Sequence, residues 1–141
     1  MLDGVIYIST ELSISAIDIA KGKIIWKIDV PEVPGTTLTV FEKTLVFGSL
    51  KSNYFGLNTD TGEVIWSHTS TNGDPCPAVY GDGTLVTSTS RGFFESLDLV
   101  SGEALWTFDP GTSTIEGCSA SLIANGFVYS ISPAGTVHAL D

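Results

Sequence analysis

Basic residues are scarce in this sequence. Among its 141 residues, Lys and Arg number 6 and Asp and Glu number 16, which gives a formal net charge of −10. A protein that binds nucleic acid neutralises phosphates with clustered Lys and Arg, and the sequence has no such cluster. We therefore expect no nucleic-acid partner, and an anionic membrane surface is disfavoured on the same ground.

Long apolar runs are also missing. No stretch approaches the roughly 18 consecutive apolar residues of a membrane-spanning helix, so we expect no membrane insertion. The amino terminus, Met1 to Ile8, lacks the basic start and the apolar length of a secretory signal. A mature or truncated secreted chain would lack one as well, so this observation leaves the compartment open.

Cysteine and histidine are equally scarce. Cys76 and Cys118 are the two cysteines, too few for a disulfide-rich scaffold and not part of a Cys-x-x-Cys pair. His68 and His138 are far apart, with no cluster of carboxylates around either, so the sequence has no metal-ligand spacing. It also lacks a Gly-x-Ser-x-Gly elbow, and we expect neither a metal site nor a catalytic residue in this segment.

What the sequence does contain is an internal repeat. Three stretches each hold a small residue, then a glycine, then a tryptophan, at the same spacing. The tryptophans recur every 40 residues, and a fourth copy opens at the end of the sequence. The repeat residues are Ala16, Gly22, Trp26, Gly56, Gly62, Trp66, Ser96, Gly102, Trp106 and Ala139.

Each unit also contains short β-branched or aromatic segments between turn residues, which predict strands. Gly81–Gly83 and Asn125-Gly126 are the clearest turns, because Asp, Asn and Gly tolerate a positive φ. Six prolines discourage helices. One strand of each unit is predicted at Val5–Ser9, Leu45–Ser49, Leu85–Thr89 and Phe127–Ile131, and the strand before each turn at Thr36–Val40, Cys76–Tyr80 and Cys118–Ile123.

Four short antiparallel strands repeated at about 40 residues are typical of the blades of a β-propeller. We therefore predict an all-β chain in one domain, with repeats at roughly residues 1–30, 31–70, 71–110 and 111–141. Each repeat glycine is expected in the turn before the outer strand, and each tryptophan on that strand, packed against the neighbouring blade. The small residue of each repeat leaves room for the ring. Burial of about 200 Å² of indole contributes up to roughly 5 kcal/mol.

The spacing small-x5-Gly-x3-Trp resembles the tryptophan-docking motif of the pyrroloquinoline-quinone (PQQ)-like β-propeller repeat family. The likeness is clearest at Asn58–Trp66 and Leu97–Trp106, and His138–Asp141 matches the opening of the motif. Relative to that family's blade, the chain starts at a second strand and ends at a third. The resemblance thus implies fourteen strands in about three and a half blades. Further blades, or a second copy in a homodimer, would have to complete the ring.

The resembling family includes quinone-dependent dehydrogenases, which hold PQQ and calcium on the propeller axis, and non-enzymatic propellers that act in bacterial outer-membrane assembly. This sequence has no adjacent cysteines and no acidic cluster of the calcium kind. Asp74, Asp82 and Asp109 stand beside Gly or Pro, where turn roles are expected. We expect a non-catalytic scaffold or protein-interaction module with a protein partner and no cofactor.

The alternative is a fragment of a PQQ-dependent dehydrogenase whose catalytic residues lie outside this segment; only then would PQQ and calcium be required. A third interpretation, a propeller that senses a ligand or unfolded protein, would need an attached signalling domain. Relatives in the resembling family are mostly extracytoplasmic, which favours a periplasmic or secreted location.

The cysteines and histidines leave alternatives open. Aligning Leu85 with Phe127 puts Cys76 and Cys118 at the same position of neighbouring inner strands, where we expect two small buried residues. A disulfide, which needs Cα atoms within about 7 Å, or a thiol site are the alternatives. His68 is expected in a blade connection and His138 in a third strand, as structural or solvated residues.

Partner surfaces are expected on the linkers that follow the tryptophan strands, because propellers commonly present such loops on one face. The alternative is that these linkers only connect the blades and bind no partner. These linkers are Asp29–Gly35, Ser67–Asp74 and Phe108–Glu116.

Overall fold

The computed structural model describes residues 4–70, 72–111, 117–118, 120–131 and 135–140. Within those ranges it contains strands, turns and bends and no helix, which confirms the prediction of an all-β chain. Across the same ranges no helix is long and apolar enough to cross a membrane.

Fourteen strands follow one another in the described ranges, and they form four antiparallel sheets in chain order. Blade 1 comprises β1 (Val5–Ser9), β2 (Ser13–Asp18) and β3 (Lys23–Asp29). Blade 2 comprises β4 (Thr39–Phe41), β5 (Thr44–Gly48), β6 (Asn53–Asn58) and β7 (Val64–Thr69). Blade 3 comprises β8 (Val79–Gly81), β9 (Thr84–Ser88), β10 (Phe94–Leu97) and β11 (Ala104–Phe108). Blade 4 comprises β12 (Ala120–Ala124), β13 (Phe127–Ile131) and β14 (Val137–Leu140).

The grouping of strands is the predicted one, with three strands in the first sheet, four in each of the next two, and three in the last. Each sheet is a simple meander, so neighbours in sequence are neighbours in space. The prediction of about three and a half propeller blades is therefore confirmed.

The inner strands are shorter and begin later than predicted. Strand β4 starts at Thr39 rather than Thr36, because the amide groups of Gly35 and Thr36 both donate to the carbonyl of Gly48 and cannot form a regular ladder. Strand β8 starts at Val79 rather than Cys76, since Pro77 has no amide hydrogen to donate. Neither cysteine lies in a strand.

The turn between the inner and second strands is confirmed in blades 3 and 4. Asp82 and Gly83 have φ of 51° and 80°, and Asn125 and Gly126 have φ of 55° and 78°. These equivalent turns are 43 residues apart, so the predicted alignment was wrong by one residue: Leu85 corresponds to Val128 and not to Phe127.

The core consists of three apolar clusters, one at each junction between consecutive blades. Both faces of blade 2 are covered, and all five residues of β5 are buried. This is why β5 contains the continuous apolar run Leu45–Phe47 instead of alternating with polar residues.

Candidate functional site: blade junctions and linker face

The junction between blades 2 and 3 is organised by the indole of Trp66. Its Nε1 donates a hydrogen bond of 2.9 Å to the carbonyl of Leu99, in the turn of blade 3. The ring lies over Gly102, where an added Cβ would be 2.6 Å from the indole. Gly102 also has a φ of 72°, so both the close approach and the backbone conformation require glycine.

The junction between blades 1 and 2 repeats this arrangement. Trp26 Nε1 donates to the carbonyl of Thr59 at 2.8 Å, and its ring lies over Gly62, which has a φ of 79°. The small repeat residues lie directly opposite the tryptophans in the sheet, in the pairs Ala16–Trp26, Gly56–Trp66 and Ser96–Trp106.

The turn that receives each indole is shaped by the polar residue four positions before the repeat glycine. Sequence analysis did not single out this position. Asp98 Oδ1 accepts hydrogen bonds from the amides of Val100 and Ser101, at 3.0 and 2.7 Å. These bonds hold the pKa of the Asp98 carboxyl below its usual value, and the bond from the Ser101 amide has the largest effect. Asp18 and Asn58 make equivalent contacts, which are typical of Asx turns.

A partly buried histidine and a buried carboxylate are paired across the same junction of blades 2 and 3. His68 Nε2 lies 3.1 Å from Oε2 of Glu95, whose residue is only 3% exposed. His68 lies on strand β7, so the expectation that it lies in a blade connection was wrong. The pair joins residues 27 positions apart, which no local pattern in the sequence indicates.

The corresponding positions of the other junctions are apolar or aromatic. Ile28 and Phe55 lie together in the cluster between blades 1 and 2. Phe108 and His138 meet edge to face between blades 3 and 4, with ring centroids 6.3 Å apart. His138 is on a third strand as predicted. The His68–Glu95 pair is therefore a polar replacement of a contact that the fold can make without charge.

A disulfide joins Cys76 and Cys118, whose Cα atoms are 5.3 Å apart. The expectation of two small buried residues was wrong. The prediction failed because of the one-residue error in alignment. Cys118 corresponds to Pro75 and not to Cys76, so the two cysteines do not occupy equivalent positions of neighbouring blades. Cys76 is fully buried, whereas Cys118 is exposed. The bond thus connects the linker before blade 3 to the linker before blade 4.

The hydroxyl of Tyr54 lies beside this disulfide, at the junction of blades 2 and 3. It donates to the carbonyls of Cys76 and Ser88 at 3.1 and 2.5 Å, and it accepts from the amide of Cys76 at 3.0 Å. Burial raises the pKa of Tyr54 well above its usual value, so the phenol stays neutral.

The linkers between blades and the loops between second and third strands lie at one end of the sheets, because neighbouring strands are antiparallel. We call this end the linker face. Glu32 there accepts hydrogen bonds from Ser49 Oγ at 2.6 Å and from Asn53 Nδ2 at 3.0 Å, which lower the pKa of its carboxyl, the Ser49 bond most. Ser52 Oγ donates to Asp74 at 3.3 Å.

The three predicted partner linkers are only partly described. Ser67 to Thr69 belong to strand β7, so the second linker is shorter than predicted, and residues 71 and 112–116 lie outside the described residues. Asp109 makes a hydrogen bond of the expected turn kind, since it accepts from the amide of Gly111 at 2.8 Å. Asp82 lies in its turn with a positive φ and accepts from the amide of Gly126 in blade 4 at 2.8 Å, and Asp74 accepts from Ser52 Oγ, 22 residues away.

The described residues do not fit a calcium-dependent quinone site. Calcium takes six to eight oxygen ligands. Nowhere in the described ranges do three or more His, Cys, Asp or Glu side chains form a group that could hold a metal ion. We therefore derive no chemical step through such a cofactor.

The geometry defines a partial propeller, and comparison with known proteins gives its family. A family model described as "Outer membrane protein assembly factor BamB" matches residues 10–141, so the chain belongs to this family of PQQ-like repeat proteins. A crystal structure of BamB from Moraxella catarrhalis superposes with a TM-score of 0.87 at 19% identity, over 99% of this chain and 44% of that one.

Two further comparisons show how much of each matched protein this chain covers. The computationally designed Ika4 protein superposes with a TM-score of 0.84 at 18% identity, over 99% of this chain and 86% of the designed one. A quinoprotein alcohol dehydrogenase, PedH from Pseudomonas putida, is 26% identical over 136 aligned residues that cover 82% of this chain and 22% of the enzyme. The chain thus spans less than half the length of BamB and about a fifth of that of the dehydrogenase.

Replacement of Trp66 tests the contact between blades 2 and 3. We expect Trp66→Ala to lower the free energy of unfolding by about 3–5 kcal/mol, as for other buried aromatic residues. Trp106→Ala is the matched control and should cost less, because the described residues give its indole no hydrogen bond in the next blade. Denaturant unfolding measures both variants, and a cost under about 1 kcal/mol for Trp66→Ala would contradict a docking role.

Replacement of the His68–Glu95 pair tests whether the contact is structural. We expect His68→Leu to cost about 3 kcal/mol, because it leaves a buried carboxylate without its partner. The double variant His68→Ile, Glu95→Phe copies the residues Ile28 and Phe55 of the first junction. Its unfolding free energy should lie within about 1 kcal/mol of the original chain. A double variant as unstable as the single one would show that the pair does more than fill the junction.

Proposed function

We propose that this chain is a non-catalytic propeller module whose role is protein interaction, and that in the working protein its two outermost blade faces are covered. The observation that carries the proposal is the apolar character of those two faces. Ile6 and Ile8 on blade 1 are 42% and 43% exposed, whereas Leu45 and Phe47, at the equivalent positions of blade 2, are 0% and 1% exposed.

The free face of blade 4 has the same character. It carries four exposed apolar residues around a shallow depression of about 260 Å³: Leu122, Tyr129, Ile131 and Val137. Patches of this kind on a soluble protein mark interaction sites. The cover we propose for these faces is either further blades of the same propeller or a second copy, which would present its blade 1 to blade 4 in a head-to-tail arrangement that can close into a ring.

The repeat contacts supply the scaffold part of the proposal. We propose that Trp26 and Trp66 act as docking residues that hold consecutive blades in fixed orientation, with Gly62 and Gly102 as their receptors. A rigid stack of this kind presents the loops of the linker face, with Glu32 and Asp74, to protein partners.

The disulfide supports an extracytoplasmic location for the chain. Bonds such as Cys76–Cys118 form and persist in oxidising compartments, and they are rare where thiols are kept reduced. The same location was favoured by resemblance to the family.

The second candidate function is that of a segment of a quinone-dependent dehydrogenase, and the similarity to PedH favours it. It predicts that the chain, or the longer protein that contains it, binds PQQ with calcium and changes the absorption spectrum of the quinone. The interaction module predicts no saturable change in that titration. A tight complex with a spectral shift would contradict our proposal.

Light scattering coupled to size exclusion tests the covered faces. We expect twice the mass of one chain at high concentration, and a single-chain mass for Leu122→Glu, because a carboxylate in the interface would lose its hydration. Leu105→Glu is the matched control, since Leu105 is comparably exposed, at 62% against 56%, but lies on the outer strand β11. A monomer at every concentration, or equal effects of the two variants, would contradict a second copy as the partner.

A further inference from the structure

The junction between blades 2 and 3 is polar at positions where the junction between blades 1 and 2 is apolar. In blade 2, Phe47 pairs with Phe55, and the two rings stack in the cluster shared with blade 1, with centroids 5.3 Å apart. The pair at the same place in blade 3 is Thr87 and Glu95, and both residues are buried. Blade 3 therefore presents a hydroxyl and a carboxylate to its neighbour where blade 2 presents two aromatic rings.

The outer strand of blade 2 supplies the opposite side of this polar junction. Trp66, His68 and Ser70 lie on one face of the chain, because alternate residues of a strand point the same way, and the first two form hydrogen bonds to blade 3. The residues of blade 1 that correspond to His68 and Ser70 are Ile28 and Val30, which lie in the apolar cluster of the first junction. Ser70 is buried as Val30 is, so a hydroxyl replaces a methyl group inside the second junction.

The hydroxyl of Ser70 is a buried polar group without a bonding partner. Its Oγ is closed off from solvent, and among the described residues nothing forms a hydrogen bond with it. The backbone amide of Ser70 is satisfied, because it donates to the carbonyl of Ser52 at 2.8 Å. A buried hydroxyl that has lost its bonds to water is unfavourable unless another group replaces them. In folded proteins such groups are bonded to protein atoms or to ordered water.

The junction also has room beside this hydroxyl. The contacts of Trp26 and Trp66 hold both junctions at a similar width, since each indole lies over a glycine and donates to a carbonyl at 2.8 or 2.9 Å. Between blades held in this way, Ser70 and Glu95 fill less volume than the valine and phenylalanine of the first junction. Tyr54 occupies part of the difference, but its hydroxyl is bonded to backbone groups and does not serve Ser70.

The spacing of the polar groups suits one water molecule. Residues two positions apart on a strand are separated by about 7 Å, so Ser70 and His68 are too far apart for their backbones to bring the side chains into a short contact. One water with hydrogen bonds of about 2.8 Å on each side spans such a gap. Glu95 is bonded to His68 through Oε2, and a carboxylate has further lone pairs with which to accept a bond from water.

We propose that the junction of blades 2 and 3 binds one ordered water molecule, which bonds to Ser70 Oγ and to the carboxylate of Glu95. The water joins the end of the outer strand of blade 2 to the His68–Glu95 pair, and the resulting network replaces the apolar packing of the first junction. The site goes beyond the proposed interaction role. It also does not depend on how the propeller is completed, since it lies between two blades whose four strands are all described.

A high-resolution crystal structure of the unaltered protein tests the site directly. We expect electron density for one water within about 3.2 Å of Ser70 Oγ and of a carboxylate oxygen of Glu95. A hydrogen bond from Ser70 Oγ straight to a protein group, or a junction without water, would overturn the proposal. This result does not depend on how any variant folds.

Water-oxygen-17 magnetic relaxation dispersion tests the site in solution, because its amplitude counts the water molecules that remain bound for longer than the protein tumbles. We expect Ser70→Val to lower the amplitude by the contribution of one water, since the valine removes a bonding partner and fills the space as Val30 does. Ser67→Val is the matched control, the same change at an exposed position of β7, and should leave the amplitude unchanged. Equal amplitudes for the two variants would overturn the proposal.

Discussion

The contact on which this structure depends is an indole ring laid over a glycine of the next blade. Trp26 and Trp66 each pack on such a glycine and donate to a carbonyl of the same turn. That one contact explains why the repeat keeps its spacing: the glycine is needed for positive φ and for close approach, and the small residue is needed beneath the ring. The polar residue that opens the turn fixes the carbonyl that the indole needs, as the Asx turn at Asp98 shows.

The periodic features of the fold could be predicted because they recur in the sequence. Tryptophans every 40 residues, with the same turn glycines, were sufficient for the blade, the number of strands and the outer-strand turns. The features that could not be predicted are those that differ between repeats. Asp82 follows Trp66 by 16 residues but Asn125 follows Trp106 by 19, so the third linker is longer and the alignment of the cysteines failed. The His68–Glu95 pair escaped detection because each partner replaces an apolar residue of another blade, and only the packed junction brings them together.

Three polar side chains of the described residues form hydrogen bonds across the junctions between blades. Tyr54 bonds to the backbone of blade 3, His68 to a carboxylate of blade 3, and Asp82 to the turn of blade 4. Each of these three groups is bonded to a neighbouring blade. The surfaces that lack such a neighbour lie at the two ends of the stack: the apolar faces of blades 1 and 4, and the edge of β14 beside Trp106.

Hydrogen exchange at the three indole N–H groups of the free protein tests the central claim most directly, because the chain contains its own reference. If the indole contacts hold consecutive blades together, Trp26 and Trp66 should exchange slowly, at rates set by opening of their junctions, while Trp106 exchanges rapidly. Equal rates at all three positions would contradict the account, because an indole bonded to the next blade would then be no better protected than one without a bonded acceptor.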